Sequence, residues 1–307
     1  MGIEYAVVIK NKTRLEALVE RFNTRSQARF YIERSGGEFT DYELEHDRFQ
    51  EALLAVQREL SGIIRYKIVD RSFLPAFIFS DQQVVVAVGQ DGLVANAAKY
   101  VNGRPIVAVN PDQDRYDGVL LPFTPVNFGK AVEKVIRGRF ESRQAAFAEA
   151  RLNDGQRLLA FNDLFIGASS HVSARYKITF NGVTEEHSSS GVIVSTQAGS
   201  TGWMSSIFNQ ANGLQRLFEK SEQWRTRLNI RDDQLFFAVR EPFRSKRTQT
   251  GIAGGLLSGE ARLRIESLMP GNGVIFSDGI EADFLRFGSG SIATIGAAKE
   301  RANLVVA

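Results

Sequence analysis

Residues 84–92 read VVVAVGQDG, and residues 93–101 continue LVANAAKYV. The β-branched run predicts a strand that stops at Gly89. Asp91 follows between small and polar neighbours, and the composition of 93–101 predicts a helix. A strand, a tight glycine turn, an acid and a helix together present phosphates or a ribose to a carboxylate. Glycine removes the side chain where backbone must approach a ligand, and helix N-terminal N–H groups favour anions. The stretch has neither the G-x-G-x-x-G spacing of a dinucleotide fold nor the lysine of a P-loop. The same pattern also describes an ordinary βα turn with a solvated Asp.

Working outward, EYAVVIK (4–10) reads as a strand and LEALVERFN (15–23) as a helix. DRFQEALLAVQREL (47–60) carries Leu53, Leu54, Val56 and Leu60 close to helical spacing. GIIRYKIVD (62–70), QVVVAVG (83–89) and RPIVAVN (104–110) read as strands. Apolar strands separated by helices imply βαβ units and a parallel sheet. Such sheets bind ligands beyond the carboxyl ends of their strands. Gly89–Gly92 lies at one such end, and Asn110-Pro111-Asp112 at another.

Around Pro122 the texture changes. One helix is expected near Phe128–Arg137, and short β-like segments follow: 157–167, 175–182, 190–197, 234–243, 261–268, 273–279, 282–288 and 291–296. Asn181-Gly182, after alternating residues, is a hairpin signal. One helix interrupts this half, from near Ser200 toward Ala211, with Gly199-Ser200-Thr201 as its expected cap. The expected fold class is α/β + β: a Rossmann-like parallel α/β domain followed by a β-sandwich-like domain. The expected boundaries are 1–122, 123–290, and a C-terminal segment 291–307 returning to the first domain.

The chain has 307 residues, enough for two domains, and a chain this long buries roughly 75% of its unfolded surface without staples. With 43% apolar and 24% charged residues it reads as a soluble globular protein. It has no cysteine, which excludes disulfides, thiolate nucleophiles and Cys-based zinc sites. His46, His171 and His187 are widely separated, a thin supply for a metal site or a Ser-His-Asp triad. Net charge is +3, with short basic runs at 137–139 and 244–247. These attract anions but lack the interleaved aromatics of a nucleic-acid surface, so no nucleic-acid partner is expected. No apolar run approaches 18 residues, so no membrane span is expected. MGIEYAVVIKNK lacks a signal-peptide layout, and the expected location is the cytoplasm.

Three further segments bear on chemistry. SGVIVSTQAGSTGW (190–203) is a strand ending in hydroxyls and glycines, with a helix starting at once. Ser200, Thr201 and helix N–H groups there can bind phosphate or ribose oxygens, or simply cap a helix. Asn162-Asp163 interrupts the apolar LLAFNDLFIG. Adjacent strand residues point to opposite faces, so the pair marks either a turn or bulge, or an edge that holds sugar hydroxyls through an amide and an acid. GIAGGLLSG (251–259) reads as a flexible loop.

The order of these sites resembles the NAD kinase family over most of the chain. FNDLFIGASS, SSGVIVSTQAGSTGW, LFFAVREPF and FSDGIEADFLRFGSGSIATI are similar to segments of its mitochondrial-type branch. The resemblance implies transfer of the terminal phosphoryl group of ATP to the adenosine ribose 2′-hydroxyl of NAD, or of NADH, to give NADP. It also implies NAD bound between two domains, a homodimer or homotetramer, and Mg or another divalent metal entering with ATP near Asp91 rather than on a site built from protein alone. The family's G-G-D-G-[TS] motif falls on Gly89, Gln90, Asp91, Gly92 and Leu93. This makes Asp91 the expected catalytic base, with Gly89, Gln90 and Gly92 at the phosphates. NAD is expected on Asn162, Asp163, Thr196, Ser200, Thr201, Gly202 and Trp203, with Trp203 able to stack on a base.

Gln90 and Leu93 depart from the family motif, Ala198 replaces a hydroxyl residue, and Ser190 stands where the common bacterial branch has an Asp. If position 90 needs a positive φ, glutamine costs about 1–2 kcal/mol there. The alternative implied by these departures is a degenerate kinase that senses NAD(H) or another adenine nucleotide without turnover. A third, a kinase of the same superfamily for a lipid or sugar hydroxyl, fits the Asn-acid and GST segments less well.

Overall fold

β1 (Tyr5–Lys10) and β3 (Gln83–Val88) are almost entirely buried, as expected for strands with neighbours on both sides and helices above and below. The computed structural model describes residues 2–218 and 230–307. It divides into two compact units, residues 1–144 with 302–307, and residues 145–301.

In the first unit α1 (Arg14–Phe22), α2 (Arg25–Arg34) and α3 (Phe39–Ile63) follow β1. β2 (Arg65–Asp70), β3, α4 (Asp91–Ala98), β4 (Pro105–Val109) and α5 (Phe128–Ile136) complete it. The strands are parallel in the order β2-β1-β3-β4. Ala6, Val8, Val84, Val86, Val88, Val107 and Val109 pack against Phe49, Leu53, Val56 and Leu60 of α3 and Phe128, Val132 and Val135 of α5. α3 starts eight residues earlier than the expected segment 47–60. Its charged first turns are held by ion pairs, Arg14 and Arg115 each reaching Asp41 and Glu45. α2 escapes sequence reading because it buries only Ala28 and Ile32.

The second unit begins within β5 (Ser142–Leu152) and continues through β6 (Arg157–Ala160), β7 (Asp163–Ala168), β8 (Ala174–Phe180), β9 (Val183–Ser189) and β10 (Val192–Ser195). α6 (Trp203–Phe218) precedes β11 (Gln234–Val239), β12 (Gly254–Ser258), β13 (Leu263–Ser267), β14 (Gly273–Ser277), β15 (Ile280–Arg286) and β16 (Ile292–Val305). β12-β11-β10-β7-β14-β15 form one antiparallel sheet. β8 and β13 pair antiparallel with each other, with β9 and β16 on their outer edges. Leu164, Ile166, Val192, Val194, Phe237 and Ile275 of the six-stranded sheet meet Ala148, Ala160, Tyr176, Ile178, Ile265 and Ile295 in one core, which makes the unit a sandwich. The other face of the six-stranded sheet packs through Phe165, Ile193 and Ala238 on Met204, Ile207 and Phe208 of α6. The last residues of β16, from Ala302, belong to the first unit, where Asn303 and Leu304 pair with β4.

Three local expectations are corrected. The glycine-rich 251–259 is not a flexible loop, since its second half is β12, paired with β11. A Cβ on Gly255 would meet the Phe180 and Phe237 rings at 2.6 and 2.8 Å, so the glycine admits aromatic packing. The segment 157–167 is not one strand, because β6 ends at Ala160 and β7 begins at Asp163. Gly199-Ser200-Thr201 forms a separate 3₁₀ turn with Ala198, and α6 starts only at Trp203. The Asn181-Gly182 hairpin stands as read, with φ +50° and +79° joining β8 to β9. Among the described residues no helix is long and apolar enough to cross a membrane.

Candidate functional site

The first group of site residues lies at the carboxyl end of β3. The ladder ends at Val88, and the Gly89 N–H donates to the Val109 carbonyl at 3.2 Å. Gln90 is the N-cap position of α4 with φ −100° and ψ 167°. This is ordinary extended backbone, so glutamine carries no left-handed strain there, contrary to the conditional expectation. Leu93 explains the neighbouring departure. Its side chain is buried and folds back over Gly89, where a Cβ would meet Leu93 Cδ2 at 2.8 Å. The residue that replaces the family's hydroxyl is thus a core residue, and Gly89 is the glycine that makes room for it. Gly92 is different. Nothing lies within 4 Å of the place a Cβ would take, and its φ is outside the left-handed region. The protein's own packing gives no reason for a missing side chain at the first turn of α4.

Asp91 is the first residue of α4, and its Oδ1 accepts the Leu120 N–H at 2.6 Å. Leu120 sits on the loop 110–121 after β4, which is itself pinned. Asn110 Oδ1 accepts the Asp112 N–H at 3.0 Å and Asn110 Nδ2 donates to the Tyr116 carbonyl at 3.1 Å. Gly118, at φ +64°, leaves space that Asn110 Nδ2 would otherwise contest. Arg48 donates to both oxygens of the buried Asp112 at 2.9 and 3.0 Å, and Arg115 reaches Asp41 at 2.6 Å. Burial raises the Tyr116 hydroxyl above its ordinary pKa against an opposing hydrogen bond with Gln90. Gln90 therefore joins the same loop. Sequence reading marked Asn110 and Asp112 as a strand end but missed Leu120, whose contribution is a backbone N–H that no side-chain pattern reveals.

The second group forms where β6 gives way to β7. The Thr196 N–H donates to the Asn162 carbonyl at 2.9 Å, and Thr196 Oγ1 donates to the Phe161 carbonyl at 2.6 Å while accepting the Gly199 N–H at 3.3 Å. A Cβ on Gly199 would strike the Asn162 carbonyl and lie 2.8 Å from Asp163 Oδ1, so the 3₁₀ turn presses directly on the Asn-acid pair. Asp278, in the turn from β14 to β15, accepts the N–H groups of Phe161, Asn162 and Asp163 at 3.1, 2.6 and 3.3 Å. Sequence reading passed over Asp278 as a strand end. Its only signal was an Asp-Gly pair, which announces a turn and not a contact with residue 162.

Asp163 is the electrostatic centre of this group. Burial pushes its carboxyl up to about 7, the Ser195 hydroxyl opposes the rise, and the charge of Asp278 adds to it. Its Oδ1 is buried and has no hydrogen-bond partner among the described residues. Gly202 lies close, 4.0 Å from Asp163 Oδ2 at its Cβ position. Ser200 instead donates its hydroxyl to the Gln197 carbonyl at 2.7 Å, and Thr201 is exposed. Trp203 lies parallel to Phe165, with ring centroids 5.8 Å apart and Arg240 5.4 Å from the Trp203 centroid. These three, with Phe276 and Phe284, line a cavity of about 480 Å³. The structure thus gathers Asn162, Asp163, Thr196, Gly199 and Gly202, and turns Ser200 to an internal bond. Among the described residues no group of three or more His, Asp or Glu could hold a metal ion.

The chain has a parallel α/β unit with an acid at a glycine turn, and a β-sandwich unit with an Asn-acid pair under a GST turn. No family model matches the chain. It is 27% identical over 152 residues to an NAD kinase of Saccharolobus islandicus, covering 50% of this chain and 55% of that protein. It is 24% identical over 173 residues to an NAD kinase of Chlorobaculum tepidum, covering 50% and 59%. The chain spans little more than half the length of these curated relatives in the matched region. Among solved structures, a yeast NADH kinase complexed with NADH superposes with a TM-score of 0.62 at 14% identity, covering 100% of this chain and 84% of that one. An NAD kinase from Archaeoglobus fulgidus in complex with ATP gives 0.55 at 17%, covering 98% and 92%. The fold is thus that of these NAD and NADH kinases, and about half of the sequence is similar to curated NAD kinases.

Two outcomes follow from this geometry. Leu93→Ser, which restores a hydroxyl to the motif, is expected to cost about 3–5 kcal/mol in chemical denaturation by emptying a packed site. Asp163 keeps a proton in the folded chain that the unfolded chain loses near pH ~4. Its stability contribution is present below that value and is lost as pH rises to about 7. Asp163→Asn is therefore expected to flatten the fall in stability between those limits. An unchanged slope would overturn the assignment of that proton.

Proposed function

We propose that the chain is an ATP-dependent kinase that phosphorylates the adenosine ribose 2′-hydroxyl of NAD or NADH to give NADP or NADPH. The observation that carries this reading is Asp91, oriented by the Leu120 N–H at a helix N-terminus whose next residue, Gly92, leaves open space. One carboxylate oxygen is used in that bond, which leaves Oδ2 to take the proton of an attacking hydroxyl. As the hydroxyl oxygen bonds to the γ-phosphorus, the bond to the ADP oxygen breaks and ADP leaves with the electron pair. A positioned base contributes about 10²–10⁴-fold, and most of the remaining acceleration in phosphoryl transfer is positioning and charge stabilisation. Backbone N–H groups at the start of α4 suit the phosphates.

In this reading Asn162 and Asp163 hold the dinucleotide, since Asp163 Oδ1 is a buried acceptor with no donor among the described residues. Thr196 sets the pair in place through its bonds to Phe161, Asn162 and Gly199 rather than by spending its hydroxyl on ligand. Gly202, Thr201 and Trp203 flank the pair, with Trp203 offering an aromatic face. The NADH seen on the yeast relative and the ATP seen on the archaeal one support this choice of substrates. Asp91 is the side chain suited to meet a divalent cation. With one carboxylate on offer, such a cation fits as a companion of ATP held mainly by phosphate oxygens. When bound it would neutralise phosphate charge.

A non-catalytic nucleotide sensor is the reading that the Gln90–Tyr116 contact favours, because that side chain stands at the turn where phosphates would lie. Purified protein with ATP, Mg and either NAD or NADH, followed by an NADP-specific dehydrogenase, separates the two. Asp91→Asn is expected to lower turnover by at least about 10²-fold while NAD affinity by calorimetry stays within about tenfold. Near-normal turnover would sink the general-base role, and tight NAD binding with no product from either acceptor would favour the sensor. Gly92→Ala is expected to raise stability by about 0.5–1 kcal/mol yet weaken ATP use. Unchanged KM for ATP would show that no phosphate approaches that residue.

A further inference from the structure

We propose that Asp278 is a positioning residue for dinucleotide recognition, fixing Asn162 and Asp163 through their backbone. The proposal rests on the reading of Asn162 and Asp163 as the dinucleotide-holding pair.

Asp278 and Gly279 form the two-residue turn from β14 to β15, with φ +54° and +70°. Both positions need the left-handed region, and Asn or Gly serves the first of them as well as Asp does. The turn therefore explains a residue of this kind but not a carboxylate. The carboxylate is explained by what it accepts: three consecutive N–H groups, from Phe161, Asn162 and Asp163. The Asp278 N–H donates in return to the Asp163 carbonyl at 2.9 Å. At this point the chain has left β6 and has only begun β7. A carboxylate is an acceptor on both oxygens and takes all three donors, whereas an amide would turn its NH₂ toward one of them.

The consequence falls on Asp163. With its backbone held on one side by Asp278 and its side chain pressed by Gly199, its Oδ1 stays buried without a donor among the described residues. The polar groups that face Asp163 are the Ser195 hydroxyl from β10 and the charged Asp278 from the β14–β15 turn, and the latter raises its pKa while burial raises it most. A ribose hydroxyl that donates to Oδ1 bonds the ionised form more strongly than the neutral one. Dinucleotide binding then releases a proton and tightens as pH rises toward about 7.

Asp278→Asn and Asp278→Gly both keep a residue suited to the turn, so both are expected to fold, as circular dichroism and thermal melting would show. With selectively ¹³C-labelled aspartate, the Asp163 carboxyl titration is expected to move down by about half a pH unit or more in Asp278→Asn. The pH at which NAD affinity levels off, read by calorimetry, should move with it. At pH 8 both variants should bind NAD about tenfold more weakly, with KM for NAD affected more than kcat. A titration midpoint and an NAD affinity unchanged in both variants would reduce Asp278 to a turn residue and overturn the proposal. If the unaltered protein binds neither NAD nor NADH, the recognition reading itself falls, and the carboxyl titration still decides whether Asp278 acts on Asp163.

Discussion

Where a buried strand stops, its ladder stops, and the backbone N–H groups just beyond it need new acceptors. Both groups of the candidate site are built on that requirement. At the end of β3 the chain turns through Gly89, and a carboxylate at the start of α4 takes the N–H of Leu120 from the neighbouring loop. At the start of β7 the Asp278 carboxylate takes three N–H groups in a row. In each case the acid is oriented by backbone, which a change of side chain elsewhere does not easily disturb. Rigid presentation of a few polar atoms is what substrate positioning requires.

The departures from the family motif acquire a physical account through packing. Leu93 removes a hydroxyl from the glycine turn and fills the space above Gly89. Gln90 sits in extended backbone and engages the Tyr116 hydroxyl. Tyr116 belongs to a loop secured by Asn110, by Arg48 on Asp112 and by Arg115 on Asp41. That loop delivers the Leu120 N–H to Asp91, so the altered turn and the pinned loop form one assembly. Most of its ion pairs are partly exposed and contribute little as isolated bridges. Their effect lies in holding one loop conformation.

The second half shows the same economy. The hydroxyl of Thr196 satisfies two backbone groups, and Ser200 closes its own turn, so these residues shape the site. Asp163 beside them keeps a buried oxygen with no hydrogen-bond partner among the described residues. A buried acceptor without a donor is costly in an empty protein and useful where a ligand brings the donor. The raised pKa of its carboxyl is the electrostatic expression of the same burial.

The sequence by itself determined the parallel core strands, the β-rich second half, the Asn181-Gly182 hairpin and the acid at the glycine turn. Each of these is encoded by local pattern: period, β-branching, or residues suited to positive φ. It did not determine α2, whose buried face is two residues, nor β12, whose glycines make way for rings on distant strands. It also could not show that Leu93 belongs to the core, that Leu120 steadies Asp91, or that Asp278 holds Asn162 and Asp163 from more than a hundred residues away. Those were decided by tertiary structure alone, because backbone N–H groups carry no sequence signature and their acceptors are chosen by the packing of distant strands.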